Sequence, residues 1–315
     1  MADSFLTLLD ITKMNGSDQA VGIIEEVRTY APESEVFGGR PIRGTTYKGL
    51  VRTALPAGPT FRAANTGTPV VKSTWDQRIN QTFFLDAQMR VDEMVLDACE
   101  FGAEWALANE ALGVAKEKLI ALGYQFYYGN PSKTDFGFPG LCQLYDPATM
   151  EIDAGETSGS LCSSAWLVVN KPDCAEFIYG NNQGLQLKQW VAQYIPTANA
   201  QYRAFLNNLS GYVGLSFNYT KSACRIKNIS LAHPLTDALV ADALALFPVG
   251  VVPTHLFVNR TGRRLLQKSR VSTTQTTNVA LQYAPMPTES NGIPLYVTDS
   301  LTQTENYVVL GTAGF

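Results

Sequence analysis

Residues 91–126 read VDEMVLDACEFGAEWALANEALGVAKEKLIALGYQF. Val91, Met94, Ala98, Phe101, Trp105, Ala108, Leu112, Ala115, Leu119, Leu122 and Phe126 recur at alternating steps of three and four, which aligns them as one apolar stripe on a helix. No proline falls between Pro69 and Pro131. Asp92, Glu93, Asp97 and Glu100 crowd the start while Lys116 and Lys118 sit toward the end, the order that complements a helix dipole. The spacing predicts a spine helix over 91–127. At 1.5 Å per residue, some 35 residues make a rod of roughly 50 Å, about the full width of a compact globule of this length. The subunit is therefore expected to be flat or elongated. Gly102, Gly113 and Gly123, with alanine at several stripe positions, favour packing of the rod against a sheet over a coiled-coil dimer.

Upstream of the rod, residues 1–34 read as an arm with one short helix near Gln19 to Arg28. From Glu35 to about 85 the chain changes character. Gly38, Gly39, Gly44, Gly49, Gly58 and Gly67, with Pro41, Pro56, Pro59 and Pro69, interrupt β-leaning pieces such as Thr45 to Tyr47 and Leu50 to Thr53. This predicts a long two-stranded ribbon with a broad tip. Its apolar residues are too few for a core, and an isolated hairpin is marginal in water, so the ribbon must be held by something else. Arg40, Arg43, Lys48, Arg52, Arg62, Lys72 and Arg78 face a single acid, Asp76, in this segment, so it carries a net +6 while the remainder of the chain carries −10. Such asymmetry fits either a nucleic-acid arm or an extension that docks on an acidic surface of another copy.

Downstream, Tyr127 to Pro131 stops the helix, and Phe136 to Leu141 is a turn-rich joint. Strands are expected at Ala165 to Val169, Glu176 to Tyr179 and Cys224 to Ile229. The clearest alternation places Val213, Leu215, Phe217 and Tyr219 on one face. After Pro234 the periods mix: a helix at Asp237 to Phe247, a strand at His255 to Asn259, a short basic helix from about Thr261, and strands at Ile293 to Thr298 and Tyr307 to Leu310. The fold class is α+β, with the mixed unit separate in sequence from ribbon and rod.

The chain has 315 residues, 45% of them hydrophobic, enough to bury a substantial core. Only 17% are charged, against about 25% in a typical domain, which suits a surface that other protein will cover. A net charge of −4 gives no overall drive toward nucleic acid or anionic lipid. No stretch approaches a membrane span, and the N-terminus lacks a signal-peptide pattern, so a cytoplasmic protein is expected. Cys99, Cys142, Cys162, Cys174 and Cys224 are scattered without a C-x-x-C pair and read as reduced, buried residues. With only His233 and His255 and none of the nucleophile-elbow, dinucleotide, Walker or zinc-protease signatures, no catalytic residue, cofactor or metal is expected.

The order of elements resembles the major capsid protein fold shared by tailed bacteriophages and herpesviruses. More narrowly, Phe126 to Asn130 with Phe138 to Leu141, Ala165 to Val169, Gly214 to Phe217 with Arg225 to Ile229, and Gly292 to Leu295 with Thr298 and Asp299 look like the succession of short motifs in one group of phage major capsid proteins. The resemblance implies an N-terminal arm (1–34), an extended loop (35–85), a peripheral domain (86–136 and 161–232) containing the spine helix, and an axial domain (137–160 and 233–315). It also implies pentamers and hexamers of an icosahedral head that encloses double-stranded DNA without sequence-specific binding. Portal, scaffolding and decoration proteins are its further expected partners, and assembly is expected in the host bacterial cytoplasm.

In many relatives a cleaved scaffolding segment leads the chain; here the arm starts near Met1, so scaffolding is expected from a separate protein or not at all. Some relatives crosslink a loop lysine to a neighbour's asparagine. Lys48 and Lys72 lie in the right region, with no partner identified. The subunit contacts are expected to join the seven cations of the ribbon to Asp92, Glu93, Asp97, Glu100 and Glu104 of the next copy. A bacterial compartment shell that holds enzymes is the alternative with the same fold. A nucleic-acid-binding protein that uses Arg40, Arg43 and Arg52 is the third.

Overall fold

In the computed structural model of the chain, the described residues are 6–15, 29–58, 61–132, 136–159, 161–197, 200–270 and 284–309. The helix expected between Gln19 and Arg28 lies outside them. The first part of the chain runs α1 (Leu8–Met14), α2 (Glu33–Phe37), β1 (Arg40–Pro41), β2 (Thr46–Ala54), β3 (Thr74–Gln81), β4 (Phe83–Asp92), α3 (Glu93–Asp97) and α4 (Ala103–Tyr128). There follow α5 (Leu141–Leu144), β5 (Glu151–Asp153), β6 (Ser163–Val168), β7 (Ala175–Tyr179), β8 (Gln186–Leu187), β9 (Val191–Pro196), β10 (Gln201–Phe217) and β11 (Ala223–Ile229). The last elements are α6 (Asp237–Ala245), β12 (His255–Val258), α7 (Arg260–Ser269), β13 (Glu289–Ser290) and β14 (Ile293–Val297).

The alternating segment around Val213 is the end of a 17-residue strand, β10. One edge of β10 pairs antiparallel with β4, from Ala204 opposite Asp92 to Val213 opposite Phe83. Along the other edge lie β9, β8 and β7 in turn, with β1 parallel to β7 at the margin. The second sheet has the order β13-β14-β12-β6-β11-β5. Every residue of β6 and β11 is buried, the burial expected of central strands covered on both faces. The domain bounds expected from the sequence group these two strands with the spine helix. Their hydrogen bonds instead place them in the second sheet, because β6 pairs with β12 and β11 pairs with β5.

The ribbon is the two-stranded sheet of β2 and β3, paired from Thr46 opposite Gln81 to Ala54 opposite Thr74. Thr82 alone separates β3 from β4, and its N–H donates to the Thr45 carbonyl at 2.9 Å. The ribbon is therefore a prolongation of the first sheet's edge strand. Arg78 Nη1 donates to the Asn218 carbonyl at 2.5 Å and Asn80 Nδ2 to Asn218 Oδ1 at 2.9 Å, which tie down its base. Gly214 lets β10 pass under that base: a Cβ there would stand 2.5 Å from the Gln81 carbonyl oxygen.

The spine helix, α4, has 26 residues, a rod of about 39 Å. It begins at Ala103 rather than 91. Val91 and Asp92 finish β4, and the Asp92 carboxylate caps the short α3 by accepting from the Met94 N–H at 3.0 Å. The chain then turns through Gly102, whose φ of 92° breaks any helix continued from α3. Over 91–101 the predicted stripe does not hold: Met94 and Ala98 are exposed, and the residues buried there, with Ile11 of α1, are Val91, Leu96 and Cys99. Within α4 the buried residues are Ala106, Leu107, Ala111, Leu122, Gly123 and the Phe126 to Tyr128 end. Leu112 and Leu119, members of the predicted stripe, are 52% and 37% exposed.

The end of α4 enters the main core between the sheets. Phe37 of α2 stacks on Phe257 at 5.6 Å and meets Phe126 at 5.0 Å, while Tyr145 meets Trp166 edge-on at 5.2 Å. His255 packs on Phe37 and Tyr296, and burial holds its pKa below the ordinary value. All five cysteines are free and buried; burial pushes the Cys174 and Cys224 thiols up, to about 11 and about 12. The segment expected as a strand at Tyr307 to Leu310 is irregular through Val309, and Leu310 lies outside the described residues. The nearest paired position among the described residues is the bridge between Glu305 and Cys162.

Candidate subunit interface

The ribbon presents the charge predicted for it, and it also presents apolar side chains with no core to enter. Phe61 and Val70 at its tip are 90% and 99% exposed, with Leu50, Leu55, Trp75 and Ile79 also exposed. Arg43, Lys48, Arg52, Arg62 and Lys72 are exposed along it. Arg52 stacks on Trp75 at 4.4 Å, and Arg62 Nη1 donates to the Thr66 carbonyl at 2.6 Å. Arg40 and Arg78 are engaged within the chain. Arg40 pairs with Glu176 at 2.5 Å and lies over the Tyr47 ring. Arg78 holds Asn218, as described.

The five predicted acids do not share one helix turn. Asp92 caps α3, and Glu93 pairs with Arg203 of β10 at 2.7 Å. Asp97 is exposed at the end of α3. Glu100 is exposed on the turn that follows, and its N–H donates to Asn15 Oδ1 at 3.0 Å. Glu104 alone stands in the first turn of α4. It sits on the wall of an apolar groove of about 640 Å³ formed by Leu107, Ala111 and Leu112 of α4 with Leu187, Trp190 and Phe205. Asn207, 4% exposed, also lines this groove; its Oδ1 accepts from the Asn208 N–H, while its Nδ2 is without a partner among the described residues.

The sequence reading missed the ion pairs inside the second sheet. Arg225 and Lys227, two positions apart on β11, point the same way into the interior. Arg225 Nη2 reaches Glu305 Oε2 at 3.1 Å and its Nε donates to Ser164 Oγ at 2.9 Å. Lys227 Nζ donates to Glu151 Oε2 at 3.0 Å, and the Tyr145 hydroxyl donates to the other oxygen of Glu151 at 2.8 Å. Asn228, at φ 58°, closes the row. Its Nδ2 donates to the Val308 carbonyl at 2.9 Å and its Oδ1 accepts the Val308 N–H at 3.1 Å. The available signal was the pair of cations at spacing two in an otherwise apolar strand, which calls for buried partners.

Among the described residues there is no cluster of metal-ligating side chains, and no helix is long and apolar enough to cross a membrane.

Comparisons with known proteins bear on what such a surface serves. No curated protein matches the sequence. A chain from the structure of bacteriophage Epsilon15 superposes with a TM-score of 0.72 at 17% identity, covering 100% of this chain and 98% of that one. A chain from the bacteriophage JBD30 capsid does so with a TM-score of 0.51 at 10% identity, covering 94% and 99%. The fold is thus the phage capsid fold, and the enzyme-holding compartment gains no support. Residues 42–309 match the family described as Major capsid protein GP7, so the chain belongs to that family and is a structural protein of the phage capsid.

Proposed function

We propose that the chain closes into an icosahedral head of five-fold and six-fold rings around double-stranded DNA, with the ribbon of each copy lying across the next. The single observation that carries this reading is the ribbon itself: a projecting two-stranded sheet that, among the described residues, is tied at its base, with Phe61 and Val70 almost wholly exposed and a net charge of +6 between 38 and 78. Such a ribbon gains stability by lying on another molecule. A neighbour offers the groove beside Glu104, with its apolar walls, the unpaired amide of Asn207, and Asp97 and Glu100 on the α3 side. Arg43, Lys48, Arg52, Arg62 and Lys72 are the cations placed to meet those acids. Each contact is modest, and a closed shell sums many of them.

In this reading residues 35–85 are the extended loop, and the second sheet forms most of the axial unit. The negative balance outside the ribbon keeps packaged DNA from adhering to the shell. Portal, scaffolding and decoration proteins join in the host cytoplasm. Hydrogen exchange together with electron microscopy tests the proposal. Amides of 46–54 and 74–81 are expected to exchange fast in dispersed subunits and slowly in closed shells. A dispersed subunit whose ribbon is already protected, or strong salt-sensitive DNA binding by that subunit, overturns it.

A further inference from the structure

The spine helix and the second sheet meet at a polar joint inside an apolar core. The Tyr128 hydroxyl, on the last residue of α4, donates to Glu305 Oε1 and accepts from the Thr302 N–H at 3.1 Å. The other Glu305 oxygen is held by Ser164 Oγ at 2.5 Å and Arg225 Nη2 at 3.1 Å. Glu305 and Thr302 lie on the segment 301–309, which is itself fastened to the second sheet. Glu305 exchanges both backbone hydrogen bonds with Cys162, the Tyr307 N–H donates to the Gly159 carbonyl, and Asn228 grips both polar groups of Val308.

Around this joint the contacts are rings: Phe126, Tyr127, Phe257 and Trp166. Ring packing holds the helix end in place through preferred edge-to-face and tilted geometries, each worth only about 0.5–1.5 kcal/mol beyond its burial, so small changes of tilt cost little. Hydrogen bonds to a carboxylate that is itself pinned by an arginine are directional and stiff. At its other end the same helix lies along the first sheet, with Met89, Ala111 and Leu209 packed together. The helix therefore braces both sheets, which also pack on one another directly in the core and meet where the Ala175 N–H of β7 donates to the Val169 carbonyl at 3.3 Å.

We propose that Tyr128 and Glu305 are positioning residues for assembly, forming the joint that fixes the angle between the spine helix and the second sheet. The bending needed to fit both five-fold and six-fold rings is then left to the loops and the ribbon. This rests on the shell-building reading above.

The test uses the full chain as a dispersed subunit, spin-labelled at Leu112→Cys on α4 and Val249→Cys on the loop before β12, both exposed positions. Pulsed dipolar spectroscopy then reads the distribution of the inter-label distance. Tyr128→Phe removes the hydroxyl and leaves the ring on Tyr124. The expected result is a retained fold, a melting temperature lower by ~2–4 °C, and a distribution at least twice as broad as in the parent. Leu96→Ala, in the separate cluster under α1, serves as the stability control and is expected to lower melting at least as much while leaving the distribution narrow. An unchanged distribution in Tyr128→Phe overturns the proposal, as does equal broadening in Leu96→Ala. Shell diameters are read separately: a parent that forms no shells counts against the proposed function, while the distance result still decides the joint.

Discussion

Lys227 Nζ lies 3.0 Å from Glu151 Oε2, with the two side chains 0% and 1% exposed. Removing one member of such a pair strands the other charge in the interior, which costs about 3–5 kcal/mol, whereas replacing both by apolar residues of similar volume is often neutral. Glu151→Leu is therefore expected to lower the unfolding free energy of the dispersed subunit by about that amount. Lys227→Met combined with Glu151→Leu should recover part of it, the remainder being the buried Tyr145 hydroxyl that loses its Glu151 acceptor, about 1–3 kcal/mol. Denaturant titration of the parent, the single variant and the double variant checks this.

Glu33 is fully buried at the start of α2, where burial raises its pKa above the ordinary 4.5 although the Ser300 hydroxyl lies 3.5 Å from its Oε2. A carboxyl whose folded value is raised binds more protons folded than unfolded, so its contribution is complete below pH 4.5 and falls as pH climbs through the folded value. Glu33→Gln removes that dependence. Melting temperatures between pH 4 and pH 8, an interval of about four decades in proton activity, are expected to fall less steeply with rising pH in the variant than in the parent.

Asp237 behaves with the opposite sign. Arg270 donates to both of its oxygens at 2.6 Å and holds its carboxyl below the ordinary 3.8. The stability it lends is present above that value and is lost as pH drops through the lower, folded one. Because the pair is partly exposed, Asp237→Asn is expected to cost only about 1 kcal/mol at neutral pH and nothing in strong acid. Acid-unfolding curves of the two proteins should converge.

Gly214→Ala sets a methyl group 2.5 Å from the Gln81 carbonyl oxygen, where β10 crosses the ribbon base. The expected cost is about 1–3 kcal/mol, together with faster hydrogen exchange at Arg78 and Asn80, whose bonds to Asn218 depend on that crossing. Exchange mass spectrometry on 74–92 reads both.

Phe61→Ser with Val70→Ser changes surface positions only, so the dispersed subunit should unfold within about 0.5 kcal/mol of the parent. Closed shells should nevertheless be lost or reduced at least tenfold in sedimentation. Shells formed at the parental yield would remove the tip from the subunit contact.

The ribbon, the rod and the alternating strand were legible in the sequence because each is a local pattern. Glycine and proline punctuate 38–69, a step of three and four marks Trp105 to Phe126, and a step of two marks Val213 to Phe217. The break at Gly102 was not legible. The three-and-four spacing runs across it in the sequence, although before the break Met94 and Ala98 are exposed and it is Val91 and Leu96 that are buried, against Ile11 and not along α4.

What the sequence determined by itself was the succession of elements and the unequal charge of ribbon and body, both properties of neighbours along the chain. Tertiary structure alone decided that β6 and β11 belong to the second sheet, that Arg225 and Lys227 are buried, and that Arg40, Arg78 and Glu93 are taken up inside the subunit. The reason is sequence distance. The partners of Arg225 and Lys227 lie 80 and 76 residues away, and whether a charge is a surface contact or an interior pair is settled only when those segments come together.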